Sequence, residues 1–353
     1  MAARRDVAIV GYAQSPSVRR AQQTEVQFLL PVLNEAIERS GIPRREIGFT
    51  CAGSCDYLSG QSFAFVMNLE AVGAWPPISE SHVEMDGAWA MYEAWVRLQH
   101  GDIDSALVFG SGKSSPGVPA HIYPLQLDPY SLMPLGVDPV SLAALQARAL
   151  LDAGKATERD FAEVAARSRR AALDNPNAQV RGDADPESLL SEPYVTAPLR
   201  RHDLPPVSDG ACAVVLATAD FAREVCERPA WIAGIDHRIE IHQPGMRDLT
   251  VSESAATAAD RAGVADGPIE VAELSALFTP QELILRDAVG VNGATAINPS
   301  GGALAANPVM ATGLVRVAEA ARQVTERGRS RTLAHATSGP CLQQNLVCVL
   351  EGD

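Results

Sequence analysis

Apolar positions along this chain follow two rhythms. Short continuous apolar runs alternate with stretches in which apolar residues return every three or four positions. The first run, Val7-Ala-Ile-Val-Gly-Tyr12, reads as a buried strand broken at Gly11. Leu29, Leu33, Ala36 and Ile37 then share one face of a helix predicted over 24–40. Pro31 marks a kink in that helix or its true start, and Gly41-Ile-Pro43 stops it. Ile47 to Ala52 predicts a second strand leading into a Gly53–Tyr57 loop, and 71–81, with Pro76 and Pro77, reads as irregular. From Val83 onward, Ala88, Met91, Tyr92, Trp95 and Leu98 return at helical spacing, and Gly101 ends that helix. Ser105 to Phe109 is a strand with the small-residue exit Gly110-Ser-Gly112. Residues 113–138 form a long loop region, followed by helices at about 139–153 and 159–173, an irregular 174–208, and a buried strand Asp209 to Ala217.

The second half repeats the plan. Strand Trp231 to Ile235, helix 250–262, strand Ile269 to Leu274, strand Arg331 to Ala336 and a closing run Asn345 to Leu350 are predicted. Each half opens with an apolar strand near a glycine and closes with a buried strand. Similarity at half-length predicts a duplication: residues 1–222, with a loop region inserted at about 113–208, and residues 229–353. Strand-helix-strand alternation makes this an α/β layered protein.

One stretch stands apart, Asn298-Pro-Ser-Gly-Gly-Ala-Leu-Ala-Ala-Asn-Pro-Val-Met-Ala-Thr-Gly313. Gly301 and Gly302 permit a sharp turn, and Asn307-Pro308 opens a helix whose buried face is Met310, Gly313, Leu314, Val317, Ala318, Ala321 and Val324. A glycine loop feeding a helix N-terminus offers free N–H groups to an anion or oxyanion; a plain turn before a helix is the alternative.

Composition narrows the function. The 353 residues are 46% apolar and 20% charged, with a formal net charge of −14. Nucleic acid is excluded as a partner, because phosphate backbones need clustered Lys and Arg. The cluster Arg167-Ser-Arg-Arg170 lies on a predicted helix, where it forms a solvated face or meets an anionic ligand. No apolar run is long enough to span a membrane. Met1 to Asp6 runs into the first strand without an apolar leader, which predicts a cytoplasmic protein. The cysteines at 51, 55, 212, 226, 341 and 348 form no Cys-x-x-Cys pair, so reduced thiols and no metal site are expected.

Two segments carry a resemblance. Ser191 to Leu216, with Arg200-Arg-His-Asp-Leu-Pro-Pro-Val-Ser-Asp-Gly-Ala211 inside it, resembles the segment closing the N-terminal half of thiolase-superfamily proteins. The 298–313 stretch is similar to their Asn-x-x-Gly-Gly…Gly-His-Pro-x-Gly-x-Thr-Gly signature, one residue shorter here. The chain looks most like the sterol carrier protein X type and actinobacterial lipid-transfer-protein aldolases of steroid side-chain catabolism. The resemblance implies a five-layer α-β-α-β-α sandwich of two duplicated halves. It also implies a substrate carried as a CoA thioester, no bound cofactor, and a thiolase-like homodimer or heterodimer. An additional OB-fold, zinc-ribbon partner belongs to the same implication. The strand ending at Ser111 is the expected partner edge, its glycines admitting a neighbouring backbone.

Departures from the family pattern decide the chemistry. Aligning Gly87 with the family glycine puts Glu84 at the position of the cysteine nucleophile, as an active-site acid or a helix cap. Ser275-Ala-Leu-Phe278 replaces the family's polar motif, Asn307 replaces its histidine, and Cys341 aligns with its C-terminal cysteine. Glu84, Asn307, Cys341 and Ser275 are thus the catalytic candidates. Gly301, Gly302, Tyr57, Tyr130 and His335 are the candidate substrate-binding residues, although Tyr57 and Tyr130 suit a structural role better and His335 in its strand suits a satisfied core histidine better. Thiolysis needs a thiolate, an activating histidine and a second cysteine. Retro-aldol cleavage of a β-hydroxyacyl-CoA needs only a base and an enolate-stabilising site, and is the expected activity. A non-catalytic scaffold paired with an active paralogue is the alternative, and an acyl-CoA thiolase or acyltransferase the third.

Overall fold

The computed structural model describes residues 5–60, 62–291 and 293–352; residues 1–4, which begin the Met1–Asp6 lead-in, lie outside them. In the first half the strands are β1 (Val7–Gln14), β2 (Phe49–Gly53), β3 (Glu80–Val83), β4 (Ser105–Lys113) and β5 (Asp209–Thr218). In the second they are β6 (Ala230–Ile239), β7 (Val271–Leu274), β8 (Ala296–Ile297), β9 (Arg331–Ser338) and β10 (Gln344–Glu351). They join in the order β8-β7-β9-β10-β6-β1-β5-β4-β2-β3.

Both halves therefore place their strands first, fifth, fourth, second, third, counting outward from the middle. The pairing sense repeats as well. In each half the fifth strand runs antiparallel to both of its neighbours, the first and the fourth, and the fourth, second and third run parallel. The halves meet where β1 and β6 pair antiparallel at Ala8↔Trp231 and Ile9↔Ala230.

The helices that matter are α1 (Glu25–Ser40), α2 (Gly87–His100), α3 (Pro139–Asp152), α4 (Glu158–Ala171), α5 (Glu253–Arg261), α6 (Thr279–Ala288) and α7 (Thr312–Thr325). Side chains alternate across a strand, and β5 shows the result. Its Cys212, Val214 and Leu216 pack centrally against α2 and α7, whereas Ala211, Ala213 and Val215 pack outward against Leu29, Leu33 and Ala36 of α1. In the second half, Ala334, Ala336 and Leu346 join the central core, and Leu333, Val347 and Val349 face α5 and α6. The layers are α1, first half-sheet, α2 with α7, second half-sheet, then α5 and α6. This is the five-layer α-β-α-β-α sandwich. Strands covered on both faces must be apolar throughout, which explains the continuous runs.

Several expectations are corrected. The first helix runs unbroken through Pro31, started by a capping box at Thr24. The 71–81 segment holds the end of a helix, Phe65–Val72, and the start of β3. The helix expected from Val83 begins at Gly87 with Asp86 as its N-cap, because β3 claims Glu80 to Val83. The helix expected to open at Asn307-Pro308 begins at Thr312. The strand ending at Ser111 is no partner edge: β4 pairs with β5 on one side and β2 on the other, and the outermost strand of that half is β3. No described helix is long and apolar enough to cross a membrane.

Candidate active site

The central helices α2 and α7 bring their N-termini together at one carboxylate. Asp86 caps α2, its Oδ1 accepting from Ala88 N at 2.9 Å. The same carboxylate accepts from Gly313 N at 2.9 Å and Leu314 N at 3.0 Å, in the first turn of α7. Burial pushes the Asp86 carboxyl above its ordinary range, while the three N–H donors and Arg316 oppose that shift. All three partners are donors, so the ionised carboxylate matches the geometry. Two helix dipoles point their positive ends at it. The glycine loop was expected to offer these N–H groups to a ligand; Asp86 already occupies two of them.

Glycines make the junction possible. A Cβ on Gly313 would lie 2.6 Å from Asp86 Oδ1 and 2.5 Å from the Ala336 Cβ. A Cβ on Gly110 would meet Met310 O at 2.2 Å, and one on Gly112 would meet Val309 O at 1.9 Å. The Gly110-Ser-Gly112 exit thus admits a backbone, but that of this chain's own 309–310 turn. Met310 O also accepts from Gly87 N at 2.9 Å, and Met310 itself sits at φ 73°, left-handed for a residue with a side chain.

Glu84 lies between β3 and this cap, exposed, with its Oε1 accepting from Asp56 N at 2.5 Å. The N-cap is Asp86, which removes the capping role considered for Glu84. Glu84 adjoins Cys55, whose thiol is pushed up by burial and further by this carboxylate. Gln126 Nε2 donates to the same sulfur at 3.5 Å. Asn307 is buried; its Oδ1 accepts from Thr312 Oγ1 at 2.8 Å and its backbone N donates to Ser208 Oγ at 3.0 Å. No described residue accepts from its Nδ2.

The remaining candidates are held elsewhere. Ser275 is buried, and its backbone N donates to His335 O at 3.2 Å. His335 is fully buried in β9, pushed down to about 4 by burial, with Nε2 2.9 Å from Asn345 Oδ1. That Asn345 is fixed in turn by Ser252, Ser254 and Leu342. His335 is a core residue, and the substrate-binding role expected of it finds no exposed atom. Cys341 packs with Leu127 and Leu142, its Sγ 3.4 Å from Leu142 O, and burial pushes the thiol up to about 11. Gly301 and Gly302, at φ 96° and 67°, turn the chain tightly against the end of α4, where Ser168 Oγ donates to Gly301 O at 2.5 Å. Packing is close here: a Cβ on Gly301 would lie 2.7 Å from that of Ala172. Tyr57 is half-exposed and Tyr130 is 90% exposed.

Glu84 and Asn307 thus flank the helix junction, each just upstream of a central helix. Ser275 and His335 touch each other on the second-half side, and Cys341 belongs to an apolar cluster with the loop region. Among the described residues, no hydrogen bond joins any two of Glu84, Asn307, Ser275 and Cys341. Asp86, Cys55 and Met310 were not singled out from sequence. An Asp directly before a predicted helix start is a cap signal that would have found the first.

This is a thiolase fold. Against the solved Ltp2-ChsH2(DUF35) aldolase the TM-score is 0.83 at 21% identity, covering 99% of this chain and 98% of that one. In sequence the chain is similar to the acetyl-CoA acetyltransferase of Methanothermobacter thermautotrophicus, 28% identical over 229 residues, which is 58% of this chain and 59% of the relative. It is also similar to sterol carrier protein 2 of Bos taurus, 24% identical over 325 residues, 81% of this chain and 60% of the relative. The match therefore spans less than two thirds of each of these two relatives. No family model matches the chain. The resemblance to the thiolase superfamily, of sterol carrier protein type, is borne out.

Proposed function

We propose that this chain is an acyl-CoA lyase component, cleaving a β-hydroxyacyl-CoA by a retro-aldol reaction. The carrying observation is the exposed Glu84 carboxylate beside the α2–α7 junction, where the resemblance expects a thiol. In the proposed reaction Glu84 takes the proton of the β-hydroxyl. The Cα–Cβ bond breaks, its electrons pass to the thioester as an enolate, and the carbonyl product leaves. Proton return to Cα completes the cycle. Asn307 Nδ2 is the candidate donor to the enolate oxygen. The aldolase likeness in fold supports this reading, as does the state of the thiols: Cys341 is buried and pushed up to about 11, with no histidine partner to activate it.

The test is cleavage by the purified chain. A β-hydroxyacyl-CoA should yield a carbonyl compound and a shortened acyl-CoA, and Glu84→Gln should lose that activity. Equal activity in Glu84→Gln would remove the proposed base.

A second reading is favoured by Asp86. Its carboxylate fills the junction where two helix N-termini would otherwise serve a reacting oxyanion. On this reading the chain is a scaffold for an active thiolase-like paralogue, as homodimer or heterodimer, with an OB-fold zinc-ribbon protein as a further partner. Steroid side-chain catabolism in the cytoplasm suits either reading. Native purification with mass spectrometry separates them: an inert chain that co-purifies with a second thiolase-like chain supports the scaffold.

A further inference from the structure

The Arg167-Ser-Arg-Arg170 cluster on α4 divides its work. Arg167 pairs with Glu282 and Arg170 with Asp183. The Arg169 guanidinium has no hydrogen-bond or ion-pair partner among the described residues, and neither has that of Arg201. Both line one recess of about 150 Å³, walled by Val180, Leu204 and Leu304 and also lined by His202. His202 is 3% exposed. Its Nδ1 faces Glu192 Oε2 at 3.3 Å, and its Nε2 has no hydrogen-bond partner. The nearest carboxylate oxygen, Asp203 Oδ1 at 3.5 Å, also accepts from Thr279 Oγ1 at 2.5 Å. A buried ring nitrogen without a partner is uncommon in folded proteins.

We infer that this recess binds the phosphate group of a small ligand or inorganic phosphate itself. Two unpaired guanidiniums in a chain of net charge −14 suit an oxyanion, which Arg holds through paired N–H donors. The volume matches a guest of about six heavy atoms, since a cavity of about 150 Å³ holds benzene. His202, whose Nε2 is without a hydrogen-bond partner among the described residues, adds a third polar side chain to the recess lining. The recess lies between α4, the 201–206 segment and Leu304, and involves none of the candidate active-site residues.

The test is calorimetric titration of the full chain at constant ionic strength, with inorganic phosphate, glycerol 3-phosphate and sulfate in separate arms. Saturable one-to-one binding of phosphate or its ester is expected, weakened about tenfold or more in Arg169→Gln and in Arg201→Gln. Binding of phosphate alone identifies the free ion; equal binding of the ester identifies the phosphoryl group of a larger ligand. Both side chains reach solvent, so melting temperatures should be unchanged. Absence of saturable binding, or phosphate affinity unchanged in the Arg169→Gln/Arg201→Gln double variant, overturns the proposal. Sulfate binding more tightly than phosphate overturns the assignment to a phosphoryl group.

Discussion

The two halves repeat one strand order and differ where each feeds its central helix. In the first half that loop carries two carboxylates, Glu84 exposed and Asp86 buried as a cap. In the second, Asn307-Pro-Val-Met-Ala311 carries no charge and passes through a left-handed Met310. Sheet packing holds both halves to the same pairing, because the inner strands are covered on both faces. The loops are free of that restraint and carry the difference in chemistry. One carboxylate from the first half then ties down both helices, so the asymmetry is also what joins the halves.

The largest expected effect comes from removing that tie. Asp86→Ala leaves the N–H groups of Ala88, Gly313 and Leu314 buried and unpaired. Loss of about 3–5 kcal/mol of stability is expected in urea unfolding. A loss under about 1 kcal/mol would show that the helices meet without it.

The second prediction concerns His335. Its folded-state pKa, about 4, lies below the ordinary 6.5. Between those values the unfolded chain binds a proton that the folded chain does not, so stability falls as pH falls through this window. The expected loss between pH 6.5 and 4 is about 3 kcal/mol from this group. His335→Gln should flatten that part of the stability–pH curve; an unchanged slope there would place the titration elsewhere.

Third, Glu84→Gln should lower β-hydroxyacyl-CoA cleavage by about a hundredfold or more, while leaving stability within about 0.5 kcal/mol. A variant that loses stability and activity together would make Glu84 structural, like its neighbour Asp86. The smallest effect is at Met310. Met310→Gly should stabilise by about 0.5–1 kcal/mol, since glycine occupies a φ of 73° without strain. A destabilisation would mean that the Met310 side chain contributes more than its backbone costs.

The sequence announced the fold more fully than the site. Apolar runs and helical spacing placed most strands and helices because burial on both faces forces those patterns. β8, with only Ala296 and Ile297, and α6 escaped notice because the first is too short for a pattern. At the site, the resemblance located the loops before both central helices but not the carboxylate that ties those helices together. Asp86 acts on Gly313 and Leu314 across 227 and 228 residues of chain, a contact that no local pattern encodes. The burial of Ser275, His335 and Cys341 is likewise a property of the packed layers. The Gly110–Gly112 exit signalled close backbone approach correctly, yet the approaching backbone came from the same chain.

On the proposed reading, a thiolase fold here has exchanged its thiol chemistry for carboxylate chemistry. Acetoacetyl-CoA thiolysis by the purified chain, measured beside Cys341→Ala, tests this most directly. No CoA-dependent thiolysis is expected from either protein. Robust thiolysis by the unmodified chain, abolished in Cys341→Ala, would contradict the account.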